Sequence, residues 1–390
     1  MPRARTVLVI TILAAAAAIS FRPVQAKSKE TVLYTFQGGA DGANPFAGLT
    51  EDKDGNFYGA ASGGGASGNG AVYRIAPDGT LTVLYSFAGG GDGAGPLSAP
   101  ILDKHGNLYG VTEFGGGDCN CGIVYKLSRK GKETVLHAFT GQPDGFDPFA
   151  SPVMDSQGNL YGTTLSGGTF YGSIYKIAPD GTESIFYAFA GGSDGESPYP
   201  GLTVGKDGNL YGATSFGGTH GFGTVFRMTP DGTKTILYNF AGGTSDVASP
   251  SSTPILDGHG NIYGAGKFGG GSCNCGAVYE IKRNGKEKLL HSFAGGGDGY
   301  SPGYGLTTDK AGNLYGATTE GGSDNCDGFG CGTIFIVAPD GTESILYVFQ
   351  GGNDGSTPDA APTVDLLGNL YGTANYAGAD GYGVVYRLKP

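Results

Sequence analysis

The chain has 390 residues, of which 77 are Gly and 20 are Pro, yet 23 Tyr and 21 Phe stand beside them. With 39% hydrophobic residues and no three-residue Gly period, collagen and general disorder are excluded. A net charge of −11 argues against nucleic acid or any other polyanion as a partner.

The first element in chain order is a leader. Arg3 and Arg5 precede an apolar run over residues 7–19, and Val24-Gln25-Ala26 places small residues where a signal peptidase needs them. Residues 1–26 therefore read as a signal peptide rather than a membrane anchor, because the apolar run is short for a span. Its removal takes away Arg3, Arg5 and Arg22 and makes the remainder more acidic still. No later segment is apolar enough to span a bilayer, and Leu388-Lys389-Pro390 follows no hydrophobic sorting tail. The expectation is a secreted protein, extracellular or periplasmic, and monomeric.

Residues 27–390 are expected to form one domain made of repeats. The word Gly-Asn-apolar-Tyr-Gly begins at Gly55, Gly106, Gly158, Gly208, Gly260, Gly312 and Gly368, at spacings near 50 residues. Two further words keep step with it. A Leu-Tyr-x-Phe type strand ends at Phe36, Phe87, Phe139, Phe189, Phe240, Phe293 and Phe349, and a Val-Tyr type strand carries an aromatic from Tyr73 to Tyr386. A fourth apolar stretch follows each Pro after the Leu-Tyr-x-Phe word, as at residues 46–49 and 200–204. Four short strands per unit, seven units and no helical period predict an all-β fold, a seven-bladed β-propeller with four-stranded blades. The ends support closure. An orphan strand at residues 32–36 opens the series and residues 384–388 close it without their usual successor, so their antiparallel pairing completes the seventh blade.

We label the strands of a blade a to d from the axis outward. Nearly all length variation falls in the b–c loops, which share one face with the longer d–a crossovers, and variable loops on a rigid scaffold are where binding usually resides. The opposite face carries tight turns such as Pro77-Asp78-Gly79, suited to Pro and Gly conformations. Asp52-Lys53-Asp54-Gly55-Asn56 has the opening of a calcium loop but lacks the later bidentate acid, so it reads as a turn. The Tyr of the Gly-Asn-x-Tyr word is expected to pack, with its hydroxyl bonded.

The six cysteines lie in b–c loops. An exported chain with an even count favours local disulfides, Cys119 with Cys121, Cys273 with Cys275 and Cys326 with Cys331, with pairing between units five and six as the alternative. Zinc is disfavoured there for want of a second ligand pair, and no metal or cofactor is expected. His137 and His291 stand where other units have Tyr, His105 and His259 stand in turns, and His220 alone falls on the variable face.

In order, Leu-Tyr-x-Phe, Gly-Gly-x-Asp-Gly, Gly-Asn-Leu-Tyr-Gly, Gly-Gly and Gly-x-Val-Tyr make a unit that resembles the GloVer tandem repeat of exported bacterial proteins, also called choice-of-anchor proteins, over residues 31–390. The Asp-x-x-Gly-Asn-x-Tyr core is also similar to NHL-type propeller repeats. The resemblance implies the propeller and export, and no particular activity.

Two function classes stay open. One is a recognition module for a neutral glycan or another extracellular surface, a carbohydrate or a surface protein. The other is a hydrolase or lyase at the axial mouth, with Glu113, Asp147, His220 and Glu320 as its titratable candidates. Those four come from different units without a repeated pairing, which favours binding. The segment after each crossover Pro varies and drops toward the axis, and Phe46, Phe149, Tyr199, Tyr304 and Asp359 are the candidate ligand-binding residues. Flat rings there suit apolar sugar faces, while packing into the blade tops is the plainer alternative.

Overall fold

A computed structural model describes residues 28–389 except Asp327; the expected signal peptide lies outside the described residues. Seven antiparallel sheets follow one another. Blades one to six occupy residues 50–86, 101–138, 153–188, 202–239, 247–292 and 300–348. Blade seven joins Thr363–Val364, Leu370–Ala374 and Val384–Lys389 to the N-terminal strand Lys29–Thr35. In that closing pair Lys29 faces Lys389, Val32 faces Tyr386 and Thr35 faces Val384. The ring therefore closes as the orphan strands predict, and the unpaired edge that each terminus would otherwise leave is covered. Among the described residues no helix is long and apolar enough to cross a membrane.

The periodic words meet between blades. Each Leu-Tyr-x-Phe ring packs edge-on against the Val-Tyr aromatic of the next blade: Phe36 on Tyr73 at 5.2 Å, Phe87 on Tyr125 at 5.2 Å, and so on round to Phe349 on Tyr386 at 5.2 Å. The rings of this circle are fully buried, and such pairs contribute about 0.5–1.5 kcal/mol each beyond the area they bury. A second contact circle joins each crossover Pro to the Gly that precedes strand c of the preceding blade. A Cβ on Gly172 would stand 2.4 Å from Pro198, and one on Gly383 would stand 2.6 Å from Pro45. With φ of 94° and 92° at these two positions, only Gly meets both demands. The Gly-x-Val-Tyr word is thus an interblade packing signal as well as a strand signal.

The innermost strand of blade four, Leu202–Val204, lies within the expected residues 200–204, whereas that of blade one departs from expectation. In blade one the ladder begins only at Thr50–Glu51, and residues 46–49 lie outside it. Pro45 has no N–H to offer a ladder, and the Phe46 N–H bonds back to the Asn44 carbonyl at 2.9 Å, so the chain turns toward the axis before pairing starts.

The Tyr hydroxyls behave as the repeats suggest. Tyr58 donates to Asp52 at 3.0 Å, Tyr211 to Asp207 at 2.8 Å and Tyr315 to Asp309 at 3.1 Å. In blade one the Asp52 carboxylate also accepts from the N–H groups of Asp54 and Asn56 and from the Asn56 amide, which occupies its oxygens within the turn.

Candidate binding site at the axial mouth

The mouth lies on the face of the b–c loops and crossovers. Its first ring of residues is set by backbone conformation. The residue before each crossover Pro is left-handed: Asn44, Asp147, Ser197, Ser249, Ser301 and Thr357 have φ between 53° and 58°, and Gly95 has φ 65°. A residue before Pro is normally extended, and a left-handed side-chain residue costs of order 1–3 kcal/mol unless its surroundings enforce it. They do. Each of these N–H groups donates to a b–c loop carbonyl of the preceding blade, as from Asn44 to Tyr382 at 2.9 Å, Asp147 to Cys121 at 3.3 Å and Thr357 to Cys331 at 2.9 Å.

A second ring is tied to the first. Just past strand b, the N–H groups of Ser62, Glu113, Leu165, Ser215 and Asn375 donate to the carbonyls of Asn44, Gly95, Asp147, Ser197 and Thr357 at 3.0–3.2 Å. Lys267 and Thr319 hold the same position in blades five and six. Together the two rings form a collar of hydroxyls, amides and acids with Lys267 as its one cation.

Below the collar four rings from four blades converge on one another. Phe149 stacks on Tyr199 with centroids 4.1 Å apart and stands 5.5 Å from Phe46. Tyr304 lies 5.3 Å from Phe46, 5.5 Å from Phe149 and 5.0 Å from Tyr199. All four are only partly buried, unlike the fully buried rings between blades. They stand at one end of an axial cavity of about 360 Å³ lined by the segments leading into the inner strands.

Asp359 completes this floor. It is 6% exposed, its Oδ2 has no hydrogen-bond partner, and the Oδ1 of Asn375, itself 5% exposed, has none either. Burial pushes the Asp359 carboxyl up to about 7, against the opposing pull of the Asn375 amide and the Lys267 charge. Burial likewise raises Tyr199, helped by the Tyr304 hydroxyl and by the charges of Asp359 and Glu113. Tyr304 is raised by burial and by Asp359, against a hydrogen bond with Tyr199 that lowers it.

The other titratable candidates fall in three places. Glu113 is raised by burial and by the neighbouring Asp147 charge, and Asp147 is raised by burial. Glu320 is raised by burial and opposed by Lys267, and its carboxylate accepts a hydrogen bond from the Tyr300 hydroxyl. His220 stands exposed in its loop.

Residue type alone does not mark Lys267, Asn375 or the left-handed ring. Their sequence signal is positional: the residue before each periodic Pro, and the third residue after each Gly-Asn-x-Tyr-Gly word. The loop aromatics are likewise unmarked by the repeat words. Phe114, Phe170, Phe216, Phe268, Phe329 and Tyr376 all lie at or beyond the ends of strands b, and Phe170 and Phe329 are 73% and 66% exposed. The same loops hold the cysteines, paired as Cys119–Cys121, Cys273–Cys275 and Cys326–Cys331 with Cα atoms 5.1, 5.1 and 5.4 Å apart.

Fold and site together define a closed seven-bladed β-propeller with an aromatic-floored polar mouth on its axis. The chain belongs to the Gloeobacter/Verrucomicrobia repeat family, whose profile matches residues 15–204 and 169–386. Among solved structures it is similar to the extracellular domain of a hybrid two-component system from B. thetaiotaomicron, at 13% identity and a TM-score of 0.59, covering 92% of this chain and 39% of that one. It is also similar to a candidate 6-phosphogluconolactonase from Bacteroides uniformis, at 16% identity and a TM-score of 0.53 over 83% of this chain and 96% of that one. A puromycin hydrolase matches at 12% identity and a TM-score of 0.54, over 90% of this chain and 54% of that one. The chain thus spans about two fifths of the first of these proteins and about half of the third. These likenesses show the fold. No curated protein matches the chain.

Proposed function

We propose that this protein is an exported recognition module, released to the periplasm or the medium, that binds a neutral carbohydrate at the axial mouth. The observation that carries this reading is the convergence of Phe46, Phe149, Tyr199 and Tyr304 into one partly exposed floor beneath a hydroxyl-rich collar. Flat rings take the apolar face of a sugar, and the surrounding hydroxyls, Asn375 and Asp359 offer donors and acceptors for its hydroxyls. The exposed loop aromatics extend the same face outward and suit a chain longer than one sugar. Similarity to the extracellular domain of a two-component system supports a role outside the cytoplasm.

The test is a neutral-glycan array with the mature protein, followed by titration of the glycan identified. Phe149→Ala and Tyr304→Ala are expected to weaken binding at least tenfold while the protein stays folded by circular dichroism. Blank arrays, or unchanged affinity in both variants, would remove the proposal.

One observation favours a second reading, a hydrolase or lyase. Burial raises the Asp359 carboxyl to about 7 beside two tyrosines, within the range a general acid uses. Turnover in a panel of lactone and glycoside substrates that is lost in Asp359→Asn would replace the binding reading with this one.

A further inference from the structure

Six of the seven interblade junctions repeat one polar arrangement; at the seventh, from blade seven to blade one, strand d opens with Leu81 instead of a charged residue. The outer-strand Tyr seven residues before the crossover Asp donates to it: Tyr85 to Asp92 at 2.5 Å, Tyr187 to Asp194 at 2.7 Å, Tyr347 to Asp354 at 2.9 Å. A residue that opens strand d of the following blade completes the group. It is Glu133 beside Asp92, Glu287 beside Asp246 and Glu30 beside Asp354.

Two junctions replace the Tyr with His. His137 Nε2 lies 3.1 Å from both oxygens of Asp144, and the ligand atoms of His137, Asp144 and Glu183 all fall within 4.8 Å of one another. His291, Asp298 and Glu343 repeat the set, with Nε2 3.3 Å from Asp298. In this second copy His291 Nε2 and Glu343 Oε1 are buried without a hydrogen-bond partner, and in the first Glu183 Oε1 is too. A buried Glu oxygen without a partner also occurs in Tyr-bearing junctions, at Glu133 and Glu287. What sets these two apart is the added imidazole nitrogen.

A third junction shows that this position accepts a cation. Between blades three and four the Glu is replaced by Lys234, whose side chain is only 5% exposed. Its Nζ stands 2.9 Å from Asp194 Oδ1 and 4.5 Å above the Phe189 ring. There the chain supplies its own positive charge. In the two His junctions it supplies two carboxylates and a neutral-capable imidazole instead.

We propose that His137, Asp144 and Glu183 form one divalent metal site, and His291, Asp298 and Glu343 a second, each clamping two adjacent blades. One imidazole nitrogen with two carboxylates suits zinc or a similar transition ion better than calcium, which takes six or more oxygens. A dication neutralises the two carboxylates, and small side-chain rotations close the group toward the roughly 3.3 Å edge of a tetrahedron with bonds of about 2.0–2.1 Å. Water completes the fourth position. The crossover loops are backed by the cysteine pairs: a Cβ on Gly141 would meet Cys119 Sγ at 3.3 Å, and one on Gly295 would meet Cys275 Sγ at 3.2 Å. Linear spacing conceals such a site, because the Glu comes from the following blade. The proposal is independent of any ligand at the mouth.

The experiment is zinc titration of the chelator-treated mature protein, with metal content measured after dialysis and melting followed with and without zinc. His137→Tyr and His291→Tyr install the residue used in other blades, so the fold is kept. Wild type is expected to hold two zinc ions, each single variant one and the double variant none, with the zinc-induced rise in melting temperature lost in parallel. Glu183→Gln and Glu343→Gln keep the imidazoles and are expected to weaken zinc by more than about tenfold each. Zinc content unchanged in the His double variant, or insensitive to both Glu variants, would assign binding to surface histidines and overturn the proposal. So would a wild-type protein that binds no zinc.

Discussion

Thr357 is the least suited of the seven residues that turn the chain into the mouth. At φ 55° a β-branched side chain crowds its own backbone, whereas Asn44 fills the equivalent place in blade one with a residue that tolerates the left-handed region. Thr357→Asn is therefore expected to stabilise the protein by roughly 0.5–1 kcal/mol, read as a shift of the denaturant midpoint. A loss of stability would mean that the Thr side chain holds the collar in a way its backbone angle does not reveal. Asp359 makes a pH-dependent prediction. Its folded-state pKa is raised to about 7 from 3.8, so between those values the folded protein binds a proton that the unfolded chain does not. Stability from this group is highest at acid pH and falls as pH rises through that window. Asp359→Asn fixes the neutral form, and the variant is expected to gain on the wild type as pH increases from about 5 to about 8. Parallel pH profiles for the two proteins would show that the carboxyl ionises freely.

At the scale of elements, the d–a crossover is more than a turn. An Asp followed by Gly is accounted for by a turn alone. In the structure that Asp latches its crossover: Asp354 accepts the Tyr347 hydroxyl at 2.9 Å and the Gln350 N–H at 2.8 Å, and burial, with the Asp354 charge added to it, raises Glu30 of the closing strand to about 7. Asp354→Ala leaves both donors without an acceptor in a partly buried junction, and a loss of about 1–3 kcal/mol is expected by chemical denaturation. The same substitution is expected to lower the Glu30 pKa, visible by carboxyl titration in NMR. A stability change within experimental error would show that solvent replaces the latch at no cost.

For the whole molecule, ring closure is the decisive contact. Lys29–Thr35 supplies the outer strand of blade seven, and Phe36, fully buried, packs on Tyr73 of blade one. Deleting residues 27–38 removes both and exposes the edge of Val384–Lys389, so broadened, lower-temperature unfolding and concentration-dependent association are expected by calorimetry and light scattering. An unchanged, sharp melt in a monodisperse sample would show that six complete blades and an open seventh suffice.

Strand number, blade number and closure were legible in the sequence because each rests on local patterns repeated in register. Alternating apolar residues define a strand, a fixed Gly or Pro marks a turn, and an orphan word at each end leaves one arrangement that pairs them. The mouth was legible only in part. The variable segment after each Pro led to Phe46, Phe149, Tyr199, Tyr304 and Asp359, but whether those rings would sink into separate blades or meet was beyond any periodicity. Their contacts join residues from 50 to more than 250 positions apart. Strand tilt, the left-handed step before Pro and the closure of the ring set those distances, and none of the three is encoded in one unit. The same holds for the His-Asp-Glu groups, where one ligand comes from the neighbouring blade. Local sequence fixes what each blade is, and only tertiary structure decides what seven blades bring together on their shared axis and at their junctions.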